Sequence, residues 1–413
     1  MAFQAQHLTD YFKKNRQRYQ AWRHDLHAHP EIAFEEERTA DFVARTLQSF
    51  GLEVHTGLAK TGVVGVLTVG MNGSHQSIST TDPSIPRIGI RADLDALPIV
   101  EASTHLEYCS QNHGTMHACG HDGHVVILLA AADYLSQHKS FWDSYATTQM
   151  IFIFQPAEEN VAGGKVMVDE GLFERFAVDE VFALHNIPGL PQGSLHTRIG
   201  AQMASADFFH VTLSGKGGHA AWPHHCDDLI VYASQCIQQW QTIVSRTTDP
   251  LATAVVSVTQ IHAGESLNAL PAQLTLAGTV RCLDEAVRQA TEEKMHVILQ
   301  ALCQANEIGY TWSYDARYPV TWNHKAPTHR AVEAARSCPL ITTVNEESTP
   351  LMGAEDFAWM LRSKPGAYVL LGAGDGPMLH HNQYNFNDEL ISIGASYWVS
   401  LCDHFIKVRC IST

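Results

Sequence analysis

The chain has 413 residues, ample for two domains that each bury a core. Its 45% hydrophobic and 17% charged residues are ordinary for a globular protein, and a formal net charge of −16 argues against nucleic acid and anionic membrane surfaces as partners. The opening MAFQAQHLTDYFKKNRQRY has no apolar core, and no run approaches about eighteen apolar residues, so neither a signal peptide nor a spanning helix is expected.

Helices are predicted over 5–23 and 35–50, the second an amphipathic run closed by Gly51. Strand-like apolar runs follow at 61–69 and 87–92. The Gly/Ser/Thr/Pro-rich stretch between them, 70–86, reads as an exposed loop. Next come a helix from His121, a strand at 149–155, a short helix at 165–172 and a strand at 180–184. Strands alternating with helices predict a largely parallel sheet. After residue 201 the rhythm changes. Strands with two-residue alternation at 208–214, 253–262 and 273–282 are interleaved with long helices at 228–245 and 285–306, a compact α+β unit of ferredoxin-like kind. The first pattern resumes near 315 and ends in a helix at 390–406. The fold class is therefore α/β: a mainly parallel-sheet catalytic domain, 1–201 and 315–413, interrupted by a small ferredoxin-like domain, 202–314. Nine cysteines without any CxxC pair fit a reducing cytosol, and the expected location is cytoplasmic.

Residues 116–124, MHACGHDGH, concentrate the chemistry. His117, Cys119, His121 and His124 are all potential metal ligands, and in extended backbone Cys119 and His121 share a face. Sites in open α/β sheets form at the carboxyl ends of strands. Here those ends carry Asp93 and Asp95 (IRADLDALP), Glu158 and Glu159 (IFIFQPAEE), and His185 (VFALHNIP), with His380 and His381 near the C-terminus. A metal hydrolase needs one carboxylate on the cation and another to carry a proton, and neighbouring side chains in non-helical backbone point apart. Paired acids in a loop are usually just solvated. The apolar strand and Gln-Pro-Ala leading into Glu158-Glu159, with Gly163-Gly164 after, mark a constrained turn instead.

In combination, MHACGHDGH, QPAEE, GKGGHAAWPH, GAEDF and LHH…YNFND resemble the amidohydrolase branch of the aminoacylase/carboxypeptidase-type two-metal peptidases, which includes hippurate hydrolases, N-acyl-amino-acid amidohydrolases and auxin-conjugate hydrolases. The likeness runs from HDLHAHPE at 24–31 almost to the C-terminus. Small departures are Asn382, where proline is common, and Ala354, where serine is common.

The resemblance implies that Cys119, His121, Glu159, His185 and His380 ligate two divalent metal ions, zinc first, with Mn, Co or Ni as alternatives. It also implies that Cys119 bridges the two ions, that Glu158 is the general acid/base and that Asp95 orients a metal-ligating group. His219 would steady the oxyanion in the partner subunit's site, Asn268 and Arg281 would hold a substrate carboxylate, and the inserted domain would pair two subunits as a homodimer. The implied reaction is hydrolysis of an N-acyl amino acid, a small molecule, to a carboxylic acid and a free amino acid. A dipeptidase or carboxypeptidase would use the same metals. An inactive binding protein would be expected to lose Glu158 or a ligand, and none is lost. A redox or metal-storage protein would want spare thiols near the site or a carboxylate-rich helix bundle, and neither is present.

Overall fold

The computed structural model describes residues 2–70, 79–159 and 161–411, so part of the loop read at 70–86 (71–78) lies outside the described residues. The chain divides into two compact units. The first comprises Met1–Gln202, Trp322–Thr349 and Asp356–Thr413; the second comprises Met203–Thr321 and Pro350–Glu355.

The first unit is built on an eight-stranded sheet. Its order is Glu53–Leu58, Gly62–Val69, Thr148–Gln155, Arg87–Asp93, Glu180–Ile187, Gly366–Gly372, Ser194–His196 and Thr343–Asn345. Thr148–Gln155, Arg87–Asp93, Glu180–Ile187 and Gly366–Gly372 are mutually parallel and sit in the middle. They are buried along almost their whole length because parallel strands are covered on both faces. The helix His121–Gln137 is apolar all round and is buried from His121 to Leu135, as an internal helix must be. Helix Glu37–Ser49 buries Thr39, Val43, Ala44 and Leu47 on one stripe. It stops where Gly51 takes φ +77°, with the Leu52 and Gly51 N–H groups returning to Leu47 and Gln48 carbonyls.

Several strands escape sequence reading, Gly366–Gly372 in the middle of the sheet among them, and two of them reshape the reading. Glu53–Leu58 is an edge strand with only Leu58 buried, so it carries no alternation to detect. Gly309–Tyr318 is the other, and the division drawn at residue 314 falls inside it. It hydrogen-bonds to Ala206–Ser214 and packs Tyr310, Trp312 and Tyr314 against the second unit's core. That unit's sheet is thus four-stranded and antiparallel, ordered Ala254–Ala263, Gln273–Cys282, Ala206–Ser214, Gly309–Tyr318. The helices Leu229–Thr242 and Glu285–Ala305 pack on it, a β-α-β-β-α-β arrangement of ferredoxin-like kind.

At its centre, fully buried Asp207 accepts from Arg288 Nε at 2.9 Å, Arg288 Nη2 at 2.6 Å and Tyr314 Oη at 2.7 Å. Removing one partner of a buried pair leaves an uncompensated charge, at roughly 3–5 kcal/mol. Asp207→Ala should therefore lower the thermal midpoint of the second unit markedly. Melting followed by tryptophan fluorescence checks this, since Trp240 and Trp312 lie in or against that core.

Among the described residues no helix is long and apolar enough to cross a membrane, and eight cysteines are free thiols.

Candidate metal centre

The site gathers at the carboxyl ends of the parallel strands in the first unit. Cys119 and His121 do not lie in extended chain, as their spacing suggested. Gly120, at φ +96°, turns the backbone so that His121 is the first residue of the helix His121–Gln137. A Cβ at Gly120 would sit 2.4 Å from Asn186 Oδ1 and 2.7 Å from Tyr384 Oη, so both conformation and space require glycine there. The turn brings Cys119 Sγ to 3.3 Å from His185 Nε2. His185 lies within its strand rather than beyond it.

Three overlapping groups have candidate ligand atoms within 4.8 Å of one another: Cys119, His121 and His185; Cys119, Glu159 and His380; and His121, Glu158 and Glu159. One thiol, three imidazoles and two carboxylates from four chain segments thus meet at one place. His380 takes part, with Nε2 at 3.2 Å from Glu159 Oε1. It is held there by its own N–H to the Ala118 carbonyl at 2.8 Å, in a left-handed backbone at φ +65°. His381 turns back on its own chain, where Nδ1 accepts from the Gln383 N–H.

Neighbouring groups decide which ring nitrogen faces the site. His121 Nδ1 donates to the Asp95 carbonyl at 2.8 Å, and His185 Nδ1 donates to the Asn186 carbonyl at 2.8 Å. Each therefore presents an Nε2 lone pair inward. His121 Nε2 and Glu159 Oε1 are buried with no hydrogen-bond partner, which costs roughly 1–3 kcal/mol apiece unless something else fills the role. A divalent cation fits that deficit, and the mixed thiolate, imidazole and carboxylate set suits a transition ion.

Burial, reinforced by Glu159, pushes the Cys119 thiol up. Burial alone would lower the His121 imidazole, but Asp93 and Cys119 hold it well above its ordinary value. Burial draws His185 well down, while the neighbouring Cys119 and Glu159 raise His380 to about 10. Uptake of a cation by these groups would release their protons, so occupancy should fall as pH falls.

A second ring of carboxylates aims the first. Asp95 takes His121 through its carbonyl and accepts the Glu159 N–H on Oδ2 at 2.8 Å. Asp93 Oδ1 lies 2.7 Å from His124 Nδ1, and Asp93 Oδ2 accepts from Arg91 Nη1 at 2.7 Å. Burial would raise the Asp93 carboxyl, but His121, His124 and Arg91 together hold it well below the carboxylate range. His124 spends its other nitrogen on Asn186 Oδ1 at 2.7 Å, so it is a strut between strand ends. His117, also counted among potential ligands, is fully buried and joins none of these groups. Burial draws its pKa down to about 4, so the ring is neutral.

His219 and Asn268 lie in the second unit, and the structure brings these two together. His219 pairs with Ala269 in a two-stranded ladder, and the Ala220 N–H donates to the Asn268 carbonyl. His219 is exposed, with Nδ1 accepting from the Ala221 N–H at 3.1 Å. Arg281 lies in the same unit on the strand Gln273–Cys282, half-buried, its guanidinium 5.9 Å from the Phe208 ring centre.

Sequence reading missed Asn186, Tyr384, Arg91 and Asp356. Asn186 Nδ2 donates to Tyr384 Oη at 2.6 Å, and Asp356 accepts from Arg91 Nη2, Gln155 Nε2 and the Gly164 N–H. Asp356, Tyr384 and Arg91 lie in the segments GAEDF, YNFND and IRADLDALP, which offered the signal for them; Asn186 offered none.

The description of peptidase family M20/M25/M40 matches residues 89–404. A hippurate hydrolase of Campylobacter jejuni is 39% identical over 385 residues, 93% of this chain and 96% of that protein. An N-acetylcysteine deacetylase of Bacillus subtilis is 35% identical over 380 residues, 92% of this chain and 94% of that one. The crystal structure of the Bacillus subtilis YxeP protein, described as a dinuclear metal-binding peptidase, superposes with a TM-score of 0.79 at 31% identity. The match covers 96% of this chain and 99% of that one.

Proposed function

The chain belongs to peptidase family M20/M25/M40 as a metal-dependent hydrolase of amides, and from that membership we propose that it cleaves N-acyl amino acids into a carboxylic acid and a free amino acid. The observation that carries this is the convergence of Cys119, His121, Glu159, His185 and His380, with Glu158 beside them. In this reading those five residues would hold two divalent cations. Thiolate and imidazole donors suit zinc, cobalt or nickel, and the carboxylate admits manganese; zinc is our assignment. The cations would supply Lewis acidity and lower the pKa of a bound water.

Glu158 takes the proton of the attacking water and returns it to the leaving nitrogen. Asp95 keeps two of the ligating groups in register, fixing His121 by its carbonyl and Glu159 by its carboxylate. His219 donates to the developing oxyanion, and Arg281 with Asn268 holds the substrate carboxylate, for which a guanidinium fork has matching geometry. The free thiols of the described residues support a reducing, cytoplasmic setting. The first unit is the catalytic domain in this reading, and the second, Met203–Thr321 with Pro350–Glu355, the domain through which two subunits pair.

A panel of N-acyl amino acids with benzoyl, acetyl, long-chain and indole-acetyl groups tests the proposal, run before and after chelation. Release of free amino acid that disappears with the metal is expected. Turnover of dipeptides alone would replace the substrate class.

The ligand assignment of Cys119 has its own check. A metal-bound thiolate is shielded from electrophiles, so Cys119 should resist alkylation in metal-loaded protein and react once the metal is removed. Peptide mapping after iodoacetamide treatment reads this directly. Equal labelling in both states would remove Cys119 from the ligand set.

A further inference from the structure

Glu36 stands at the start of the helix Glu37–Ser49, in the position where a side chain ordinarily caps the helix, yet it makes no capping bond. Its carboxylate is turned inward and completely buried. There Oε2 accepts from Thr61 Oγ1 at 2.6 Å and Oε1 accepts from the Ala157 N–H at 2.9 Å. Ala157 immediately precedes the Glu158-Glu159 pair. It has φ +57°, a left-handed conformation that costs a residue with a Cβ roughly 1–3 kcal/mol and persists only where surroundings impose it.

The surroundings are on hand. The Ala157 carbonyl accepts from the Gly163 N–H at 2.8 Å, and a Cβ at Gly163 would lie 1.9 Å from the Pro156 carbonyl oxygen. The Glu159 N–H is tied to Asp95 at 2.8 Å and the Gly164 N–H to Asp356 at 2.7 Å. Three buried carboxylates from three separate chain segments thus hold the backbone of one turn. Asp95 and Asp356 act beyond Glu158, and Glu36 acts on the residue before it. In non-helical backbone the dihedrals at this point decide which of two adjacent carboxylates faces which way.

We propose that Glu36 is a positioning residue for the reaction: by accepting the Ala157 N–H it imposes the left-handed turn that separates Glu158 from Glu159. The inference rests on the reading of Glu158 as the proton carrier. Reach, rather than charge, is what the role requires. Glutamine keeps a carbonyl oxygen for the Ala157 N–H and offers an amide N–H to Thr61 Oγ1. Aspartate keeps the charge but is one methylene too short to span both partners.

Three variants of the full chain test this, each read by kcat, metal content by native mass spectrometry, and hydrogen exchange at the Ala157 amide. Glu36→Ala and Glu36→Asp should lower kcat between about ten- and a hundredfold, the scale of a displacement near 1 Å at a reacting group. Both should speed exchange at Ala157. Glu36→Gln should recover most of the rate and the protection. In a Glu158→Gln background, Glu36→Ala should cost no further rate, because the group it aims is already disabled.

If the losses from Glu36→Ala and Glu158→Gln multiply, or if Glu36→Asp outperforms Glu36→Gln, the proposal is overturned. Should Glu36→Ala fail to fold, the Asp and Gln variants carry the same comparison. If the wild-type chain releases no amino acid from any N-acyl substrate, the functional reading fails. Exchange at Ala157 still decides whether Glu36 anchors the turn.

Discussion

Glu158→Gln is expected to leave the metal content of the protein near that of the wild type and to lower kcat about a hundredfold or more. The side chain is only 8% exposed, and its oxygen lies within 4.8 Å of ligand atoms of His121 and Glu159. Glutamine preserves volume and one acceptor but has no site that takes up a proton at neutral pH, so proton transfer is what it removes. Glu159 differs in kind. Its backbone is fixed by Asp95, its Oε1 is buried without a hydrogen bond, and His380 stands 3.2 Å away. On the proposed assignment, replacing Glu159 by Gln removes a negative ligand and should lower metal occupancy first, with activity following it. Metal-to-protein ratios from native mass spectrometry, set beside turnover of an N-acyl amino acid, separate the two. If both variants lose metal equally, the division of labour between the neighbours is wrong.

That division illustrates what was readable before any coordinates. A strand of Ile and Phe running into Gln-Pro-Ala-Glu-Glu announces both the carboxyl end of a buried strand and a constrained turn, because composition and periodicity are local properties. The thiol–imidazole cluster at Cys119 and His121 is visible for the same reason, and so is the change of periodicity near 201; the second change, read near 315, falls inside the strand Gly309–Tyr318. The turn itself was not readable. Its left-handed residues are Ala157 and Ala162, and His380 adopts the same conformation, although only Gly, Asn and Asp signal positive φ in sequence. Cys119 and His121 meet because Gly120 turns, whereas their spacing alone suggested a shared strand face.

Imidazole orientation was equally hidden. His121 and His124 are alike as letters, and their different surroundings are set by the Asp95 carbonyl on one and by Asp93 and Asn186 on the other, all distant in sequence. Glu36 reads as one more acid at a helix start. Its use on Ala157, 121 residues away, is tertiary information.

The second large effect is expected between subunits. In the proposed dimer, His219 of one chain serves the metal centre of the other. Its setting supports that reading: the imidazole is exposed at the end of a Gly-rich approach, with Nδ1 accepting from the Ala221 N–H. A chain lacking Glu158 and a chain lacking His219 should each be inactive as a homodimer. Mixed and allowed to exchange, they form heterodimers in which two-fold symmetry gives two unequal sites. One site lacks both groups. The other combines an intact Glu158 from one chain with an intact His219 from its partner, so activity should return toward about half the wild-type rate per heterodimer. Differently tagged chains purified by both tags provide the heterodimer, and native mass spectrometry verifies its composition. If isolated heterodimers stay inactive although both chains keep their metal, His219 acts within its own subunit or not at all, and the small domain's part in catalysis must be sought elsewhere on its surface.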